Sequence, residues 1–467
     1  VPAGTTYTWT VVDNANVSGE SNQAGAQSNI SQTLSNSSNV PQNVVYTVTP
    51  LSGSCSRALF TVTVTVNPDP EITDLTSVVC SGSPFTVSPT NGGSNIIPAG
   101  TTYTWTVANN TNVSGQSAQA AAQPSISQNL TNLTDTPQDV VYTVTPRSGV
   151  AGNCIGDTFT VTVTVNPSPV IPNPSDAICS GDTFTISPAN GGSTIVPTGT
   201  VYTWTVINNP NVTGESTQTS AQNNISQTLT NTSITPQNVI YTVTPQSGSN
   251  GNCAGNPFTV TVTVNPTPSL SSTLTPMEIC SNSGFTYTPT SNVTGTTFTW
   301  TRAAMTGINN PAITTAQTSN PNEVLINTTP NPLDVVYIYI ITANGCSTTQ
   351  SVTVSVKPIP VLSSTLTPAE ICGNSTFSYT PSSSTSGATF TWTRAAVTGI
   401  SNPVILAPQS SNPNEVLINT AGAAINVVYE FTTLANGCSS TQNVTVRVNP
   451  RPTLNSTLNP AAICSNT

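Results

Sequence analysis

The chain has 467 residues, of which 5% are charged and none is histidine, and its formal net charge is −10. So few basic side chains exclude a nucleic-acid interface and docking on anionic lipid, because both require clustered lysine and arginine. The lack of histidine excludes Ser-His-Asp and Cys-His catalysis and most zinc sites.

Short strands with alternating side chains are predicted from the start of the chain. The sequence YTWTV at 7–11 places Tyr7, Trp9 and Val11 on one face. The stretches VVYTVTP at 44–50 and FTVTVTV at 60–66 alternate valine with threonine in the same way. A period of two with β-branched residues is typical of half-buried strands, and no segment shows a helical period.

Five linkers of the form Asn/Lys-Pro-x-Pro divide the chain, at spacings of 99, 99, 92 and 92 residues. They begin at Asn67, Asn166, Asn265, Lys357 and Asn449. Spacings of this size indicate repeated domains joined by short, extended linkers. We predict a first subtype at 1–66 (incomplete), 67–165 and 166–264, a second at 265–356 and 357–448, and the start of a further repeat at 449–467.

An aromatic pair recurs in every repeat, a tryptophan followed 37 residues later by a tyrosine. The pairs are Trp9 and Tyr46, Trp105 and Tyr142, Trp204 and Tyr241, Trp300 and Tyr337, and Trp392 and Tyr429. Exposed aromatic rings could stack on sugars, but each tryptophan lies on the apolar face of its strand, which favours a core role. About seven short strands per repeat predict an all-β tandem array of immunoglobulin-like antiparallel β-sandwich domains.

The chain is expected to be a piece of a longer array, since it begins within a domain and ends just after Cys464 opens another. Signals for processing and anchoring would then lie outside it. The longest apolar run, Val335 to Ile341, is too short to span a membrane.

Ten cysteines without Cys-x-x-Cys pairs or histidine indicate disulfides in an oxidising compartment. Two pairings are compatible with the sequence. Pairing across each linker joins Cys55 to Cys80 and continues in that way through all ten. Pairing within repeats is preferred, because a domain with its own disulfide can fold alone, but it fails if the two cysteines lie at opposite ends of the sandwich. It joins Cys80 to Cys154, Cys179 to Cys253, Cys280 to Cys346 and Cys372 to Cys438, and leaves Cys55 and Cys464 for partners elsewhere.

Carboxylates recur in the second subtype, where Glu278 and Glu323 return as Glu370 and Glu415. An arginine follows the tryptophan strand in both repeats, as Arg302 and Arg394. A glycosidase would need two acids facing one cleft. Acids repeated beside an equally repeated arginine are instead interpreted as structural ion pairs or surface charges. No catalytic, cofactor-binding or metal residue is predicted, and Asn-Gly-Gly at 91–93 and 190–192 is interpreted as a turn.

The stretch NISQTLTNTSITPQNVIYTVTPQSGSNGNCAGNPFTVTVTVNPTP at 224–268 resembles the PKD-like, immunoglobulin-like repeats of large secreted proteins of Bacteroidota. The phrases EICSNSGFTYTP and ANGCSTTQSVTVSVKP resemble a sister subtype. The resemblance covers essentially the whole chain. It implies a giant cell-surface adhesin exported by type 9 secretion, including the gliding-motility type, or a spacer in a secreted hydrolase.

The sequence therefore predicts a non-enzymatic stalk of a long, outer-membrane-attached adhesin filament for adhesion and gliding. The alternatives are a spacer in a secreted polysaccharide-degrading enzyme and a carbohydrate-binding array. Expected partners are an external surface or polysaccharide reached by other parts of the protein, the outer-membrane secretion and motility machinery, and further copies of the filament. No cofactor is expected, and isopeptide cross-links are excluded because Lys357 is the one lysine.

Overall fold

A computed structural model describes residues 1–149, 152–248, 251–457 and 462. Every regular element of this part is a β-strand, and the strands form tandem β-sandwich domains. This confirms the predicted fold class. No helix in the described ranges is long and apolar enough to cross a membrane.

The strands follow the repeats in chain order. The first repeat contains β1 (Thr6–Val11), β2 (Val17–Ser18), β3 (Gln23–Gln27), β4 (Ser35–Asn36), β5 (Gln42–Ser52), β6 (Cys55–Ser56) and β7 (Phe60–Val66). The second contains β8 (Leu75–Cys80), β9 (Pro84–Val87), β10 (Thr102–Val107), β11 (Val113–Ser114), β12 (Gln119–Gln123), β13 (Ile126–Asn129), β14 (Thr131–Asn132), β15 (Gln138–Arg147) and β16 (Phe159–Asn166). The third contains β17 (Ser175–Cys179), β18 (Thr183–Ile186), β19 (Val201–Val206), β20 (Val212–Thr213), β21 (Gln218–Gln222), β22 (Ile225–Thr228), β23 (Thr230–Asn231), β24 (Gln237–Gln246) and β25 (Phe258–Asn265).

The repeats of the second subtype have fewer strands than the second and third repeats, and their last two strands are longer. The fourth repeat contains β26 (Ile279–Cys280), β27 (Ser283–Thr286), β28 (Thr297–Arg302), β29 (Ile313–Gln317), β30 (Asn322–Leu325), β31 (Leu333–Ala343) and β32 (Cys346–Lys357). The fifth contains β33 (Ile371–Cys372), β34 (Ser375–Ser378), β35 (Thr389–Arg394), β36 (Ile405–Gln409), β37 (Asn414–Leu417), β38 (Ile425–Ala435) and β39 (Cys438–Asn449).

The main sheet of the second repeat has the strand order β12-β10-β15-β16-β8. Its first strand, β8, runs parallel to its last, β16, while the other neighbours are antiparallel. The strand pair β9 and β13 lies outside this sheet, as does the pair β11 and β14. The third, fourth and fifth repeats have the same order in their own main sheets.

Each repeat buries its own hydrophobic cluster, because alternate residues of the long strands point to one face. In β16, Phe159, Val161 and Val163 are buried and the threonines between them are half-buried. In the first repeat β7 has a partner only in β5, and Phe60 is 41% exposed where Phe159 is 3% exposed.

The recurring tryptophan lies in the middle of each core, and all five are 5% exposed. Its indole Nε1 donates to a backbone carbonyl, for example from Trp105 to Ser117 at 3.1 Å and from Trp300 to Ser319 at 2.7 Å. The partner tyrosine is also buried, at 0–2% exposure. These aromatic pairs are therefore placed as packing residues rather than as a surface for ligands.

Candidate functional site

A buried ion pair lies beside the core tyrosine in the fourth repeat. Arg302 stands two positions after Trp300 on β28, so its side chain points to the same face as the indole. Its Nε donates to Glu323 Oε2 at 2.9 Å and its Nη2 to Oε1 at 2.8 Å, and Arg302 is 1% exposed. The Tyr337 hydroxyl donates to the same carboxylate at 2.7 Å.

The fifth repeat has the same cluster. Arg394 donates to Glu415 at 3.0 and 3.1 Å, and the Tyr429 hydroxyl donates to Glu415 at 2.7 Å. Burial raises the pKa of Tyr429, and its hydrogen bond to the Glu415 carboxylate raises it further. Each acid thus accepts hydrogen bonds from an arginine and a tyrosine of its own repeat.

The other recurring acids form surface pairs. Glu278 contacts Lys357 with 56% of its side chain exposed, and Glu370 lies 3.7 Å from Arg447. The structure thus places Glu323 and Glu415 in buried ion pairs and the other two in exposed ones.

The first subtype has an uncharged version of the cluster at the same positions. Gln128 takes the place of Glu323, 23 residues after the tryptophan in both repeats, and Val107 takes the place of Arg302. The Tyr142 hydroxyl donates to Gln128 Oε1 at 2.8 Å, and Gln128 Nε2 donates to the Ser117 carbonyl at 2.6 Å.

An asparagine that no recognised motif contains binds the last strand of each repeat; it is buried in the first four repeats and half-buried in the fifth. Asn132 Nδ2 donates to the carbonyls of Thr136 and Val165 at 2.7 and 2.8 Å. Asn327 does the same with Asn331 and Val356, both at 2.8 Å. A fixed spacing in the sequence could have revealed this residue. An asparagine lies 27 residues after every strand tryptophan, at Asn36, Asn132, Asn231, Asn327 and Asn419.

The boundary between the second and third repeats is a second structured site. Cys80 ends β8 and lies opposite Asn166, where β16 runs into the linker. The Ser81 amide donates to the Asn166 carbonyl at 2.8 Å, and the Ser168 hydroxyl donates to the Ser81 carbonyl at 3.3 Å. The parallel pairing of β8 with β16 therefore fixes Cys80 at the end of its domain that faces the next repeat.

Cys253 reaches the same place from the third repeat. It lies in the hairpin between β24 and β25, where its amide donates to the Ser247 hydroxyl at 2.8 Å. The hairpin backbone lies against the linker, because a Cβ added at Gly251 would lie 2.4 Å from Asn166 Nδ2. Cys80 and Cys253 form a disulfide with a Cα–Cα distance of 5.5 Å.

An equivalent disulfide joins the fourth and fifth repeats. Cys280 ends β26 opposite Lys357 of β32, at the start of the linker. Cys438 follows a two-residue turn in which Asn436 and Gly437 both have positive φ, the conformation of a tight hairpin loop. Cys280 and Cys438 are bonded with a Cα–Cα distance of 5.8 Å.

Pairing within repeats is therefore wrong, because Cys80, Cys253, Cys280 and Cys438 each have a partner in a different repeat. The reason is geometric. Cys80 lies at the end of its repeat next to Asn166, whereas the hairpin that carries Cys154 lies at the other end, where Gly152 meets the side chain of Asn67. Pairing across linkers is wrong for these four cysteines as well.

Each remaining cysteine of the described ranges lies either at the end of the first strand of its repeat or in the late hairpin. Cys179 ends β17 and Cys346 begins β32, and both are disulfide-bonded. Cys154 follows the turn of its hairpin. Cys55 and Cys372 are free thiols and exposed, and Cys464 lies outside the described residues. The described part contains no group of three or more His, Cys, Asp or Glu side chains arranged to hold a metal ion.

The Asn-Gly-Gly stretch of the third repeat also contributes to the boundary with the second. Gly191 and Gly192 have positive φ, and Gly191 bridges back to Thr194, which makes the stretch a turn. Asn190 Nδ2 donates to Asp135 Oδ2 of the second repeat at 2.7 Å. The turn therefore also contacts the preceding domain.

A family model described as PKD-like domain matches residues 2–70, 77–169, 176–268, 277–360 and 369–452. No curated protein sequence matches the chain. Every strand tryptophan, tyrosine and buried asparagine described above falls inside a matched segment.

Several solved structures of tandem domains are similar at low sequence identity. Drosophila N-cadherin EC1-4 is 10% identical, covering 75% of this chain and 92% of that one, with a TM-score of 0.23. Sidekick-1 immunoglobulin domains 1-5 are 10% identical over 96% and 93%, with a TM-score of 0.21. The human desmocollin-1 ectodomain is 12% identical over 97% and 94%, with a TM-score of 0.22.

Proposed function

We propose that this chain, which belongs to the PKD-like domain family, forms the non-enzymatic structural stalk of an adhesin filament on the outside of a bacterial cell. The stalk holds an adhesive segment away from the cell and transmits tension between the two. In this proposal the protein is exported by type 9 secretion, is attached to the outer membrane and serves surface adhesion and gliding.

The observation that carries this proposal is the covalent joining of successive repeats. Cys80 bonds to Cys253, and Cys280 bonds to Cys438, each across a domain boundary. Disulfides persist in oxidising, extracellular environments, which supports a location outside the cytosol. A bond across a boundary keeps neighbouring domains joined under tension, as a stalk requires.

The buried charges also support a structural role. Arg302 donates to Glu323, and Glu323 also accepts a hydrogen bond from the core tyrosine. The hydrogen bonds of this ion pair therefore connect strands of the fourth repeat. The expected partners are those of a stalk: an external surface or polysaccharide, the secretion and motility machinery, and further copies of the filament.

Antibody labelling of live cells with serum against residues 167–357 tests the proposal. Label that lies on the cell surface and moves along it is the expected result. Label that stays fixed on the surface would contradict the gliding role but would still support a stalk. Signal found only in the medium would contradict the proposal and favour a spacer in a secreted enzyme. Binding of the purified chain to insoluble polysaccharide would favour the carbohydrate-binding alternative.

A further inference from the structure

The two disulfides skip long stretches of chain. Cys80 and Cys253 are 173 residues apart in sequence, and Cys280 and Cys438 are 158 residues apart. Each pair belongs to neighbouring repeats, so the skipped stretch contains the body of one repeat and most of the next. Such a bond changes how far the chain can extend when its domains unfold.

Two covalent connections run side by side at the boundary between the second and third repeats. One is the backbone that leaves β16 through Asn166, and the other is the bond between Cys80 and Cys253. They lie close together, because Cys80 is opposite Asn166 in the sheet and the Cys253 hairpin lies against the Asn166 side chain. Tension that reaches this boundary therefore has a second route into the third repeat.

Within the third repeat, the second route contains one strand, the last one. Cys253 lies shortly before β25, the last strand of its repeat, which ends at Asn265. The backbone then reaches Cys280 only 27 residues after Cys253. At Cys280 the second disulfide begins, and it leads to Cys438 at the start of β39, the last strand of the fifth repeat.

We propose that these disulfides, together with the backbone between Cys253 and Cys280, form a continuous covalent load path from the second repeat to the fifth, in which β25 is the one strand of the third repeat that lies on the path. The path runs from Cys80 to Cys253, along the backbone to Cys280, and from there to Cys438. The skipped residues fold beside this path and are shielded from end-to-end extension. The use of the path as a limit on filament extension rests on the stalk function proposed above.

The expected effect is large. A fully extended chain spans at most ~3.5 Å per residue, so the first disulfide withholds about 600 Å of contour length and the second about 550 Å. Together they withhold about 1,150 Å even when every repeat is unfolded. Under load, the domains of such a filament can unfold while the filament lengthens by much less than the contour length of the unfolded residues.

Single-molecule stretching of the full chain, held at both ends through peptide tags, tests the path. The oxidised chain should reach a maximum contour length about 1,150 Å shorter than the same chain in reducing buffer. A chain that keeps only Cys80 and Cys253, with serine at the other eight cysteines, should withhold about 600 Å. A chain that keeps only Cys280 and Cys438 should withhold about 550 Å.

A chain that keeps only Cys80 and Cys154 is the matched control, and it should withhold no length because these residues lie at opposite ends of their repeat. Equal contour lengths in oxidising and reducing buffer would overturn the inference, as would withheld lengths of about 260 Å, the value for a 74-residue loop within one repeat. Unfolding steps in reducing buffer show that each variant has folded. The result is independent of the cell-labelling experiment, so the two proposals can fail separately.

Discussion

In the first three repeats the hydroxyl of the core tyrosine donates to a glutamine, whereas in the fourth and fifth it donates to a glutamate that also binds a buried arginine. The positions are equivalent, since both the tyrosine and its partner keep their distance from the tryptophan. The second subtype thus has an arginine and a glutamate, joined as an ion pair, where the first has a valine and a glutamine. In both repeats of the second subtype the buried arginine is accompanied by a glutamate that binds it.

The arginine and the glutamate belong together, because either one alone would leave a charge in the core without a counterion. An arginine alone at position 302 would place a charge in the core without a counterion, and a glutamate alone at position 323 would do the same with the opposite sign. In the observed cluster Arg302 makes two hydrogen bonds to Glu323 and one to the Pro311 carbonyl. Burial would lower the pKa of Arg302, but the Glu323 carboxylate more than offsets this, so the pKa is raised.

Removing one charge should have the largest effect. Glu323→Gln keeps an acceptor for Tyr337 but leaves Arg302 buried without a counterion, and we expect the fourth repeat to lose about 3–5 kcal/mol of unfolding free energy. Hydrogen exchange of peptides from β31 measures this, with β38 of the unmodified fifth repeat as an internal reference. Glu278→Gln removes an exposed partner of Lys357 and should cost at most about 1 kcal/mol. Equal effects of the two variants would contradict this interpretation of the cluster.

Restoring neutrality should recover most of that loss. The double variant Arg302→Val, Glu323→Gln gives the fourth repeat the side chains found at Val107 and Gln128 of the second. We expect at least half of the loss caused by Glu323→Gln to return, because no unpaired charge remains in the core. The same hydrogen-exchange measurement completes a double-mutant cycle. If the costs of the two single variants simply add, the sites are not coupled and the comparison fails.

The asparagine that both subtypes share should matter equally in each. Asn132→Ala and Asn327→Ala both leave two backbone carbonyls without the amide that binds them, at an expected cost of about 1–3 kcal/mol per variant. Exchange of amides in β16 and β32 reports the two losses separately. A loss confined to one subtype would show that the last strands are held by different means.

The smallest effect concerns pH. Burial raises the pKa of Tyr142 and Tyr337 above the ordinary value of 10.0, and the Glu323 carboxylate raises that of Tyr337 further. An acid with a raised pKa in the folded state contributes stability below pH 10 that is lost as the pH rises above it. Phenolate absorbance should therefore show the core tyrosines ionising only as the repeats unfold, and Tyr337→Phe should reduce the alkaline loss in the fourth repeat. Ionisation of every tyrosine near pH 10 with the sheets intact would oppose this.

Much of the fold could be predicted because it depends on local pattern. Alternating valine and threonine, proline-bounded linkers and a fixed distance from tryptophan to tyrosine are all visible along the chain. The recurring charges could also be interpreted, since Arg302 follows directly from the position of Trp300. Asn132 and Asn327 were missed although their spacing is regular, because asparagine is common in the chain and its burial depends on which carbonyls the fold brings together.

The disulfides could not be predicted, because sequence spacing does not show which end of a domain faces its neighbour. The preferred pairing assumed that a domain carries its own disulfide. The parallel pairing of β8 with β16 instead places Cys80 beside the following linker, while the late hairpins of the second and third repeats turn back towards the preceding linker. Which end of a repeat each cysteine occupies depends on the order and direction of the strands, and these are defined only in the folded chain.

A disulfide map of the non-reduced protein tests the central claim most directly. Proteolysis without reduction, followed by mass spectrometry, should yield a peptide containing Cys80 linked to one containing Cys253, and a peptide containing Cys280 linked to one containing Cys438. This result would establish that successive repeats are joined covalently. Peptides linking Cys80 to Cys154 or to Cys55 would contradict the account.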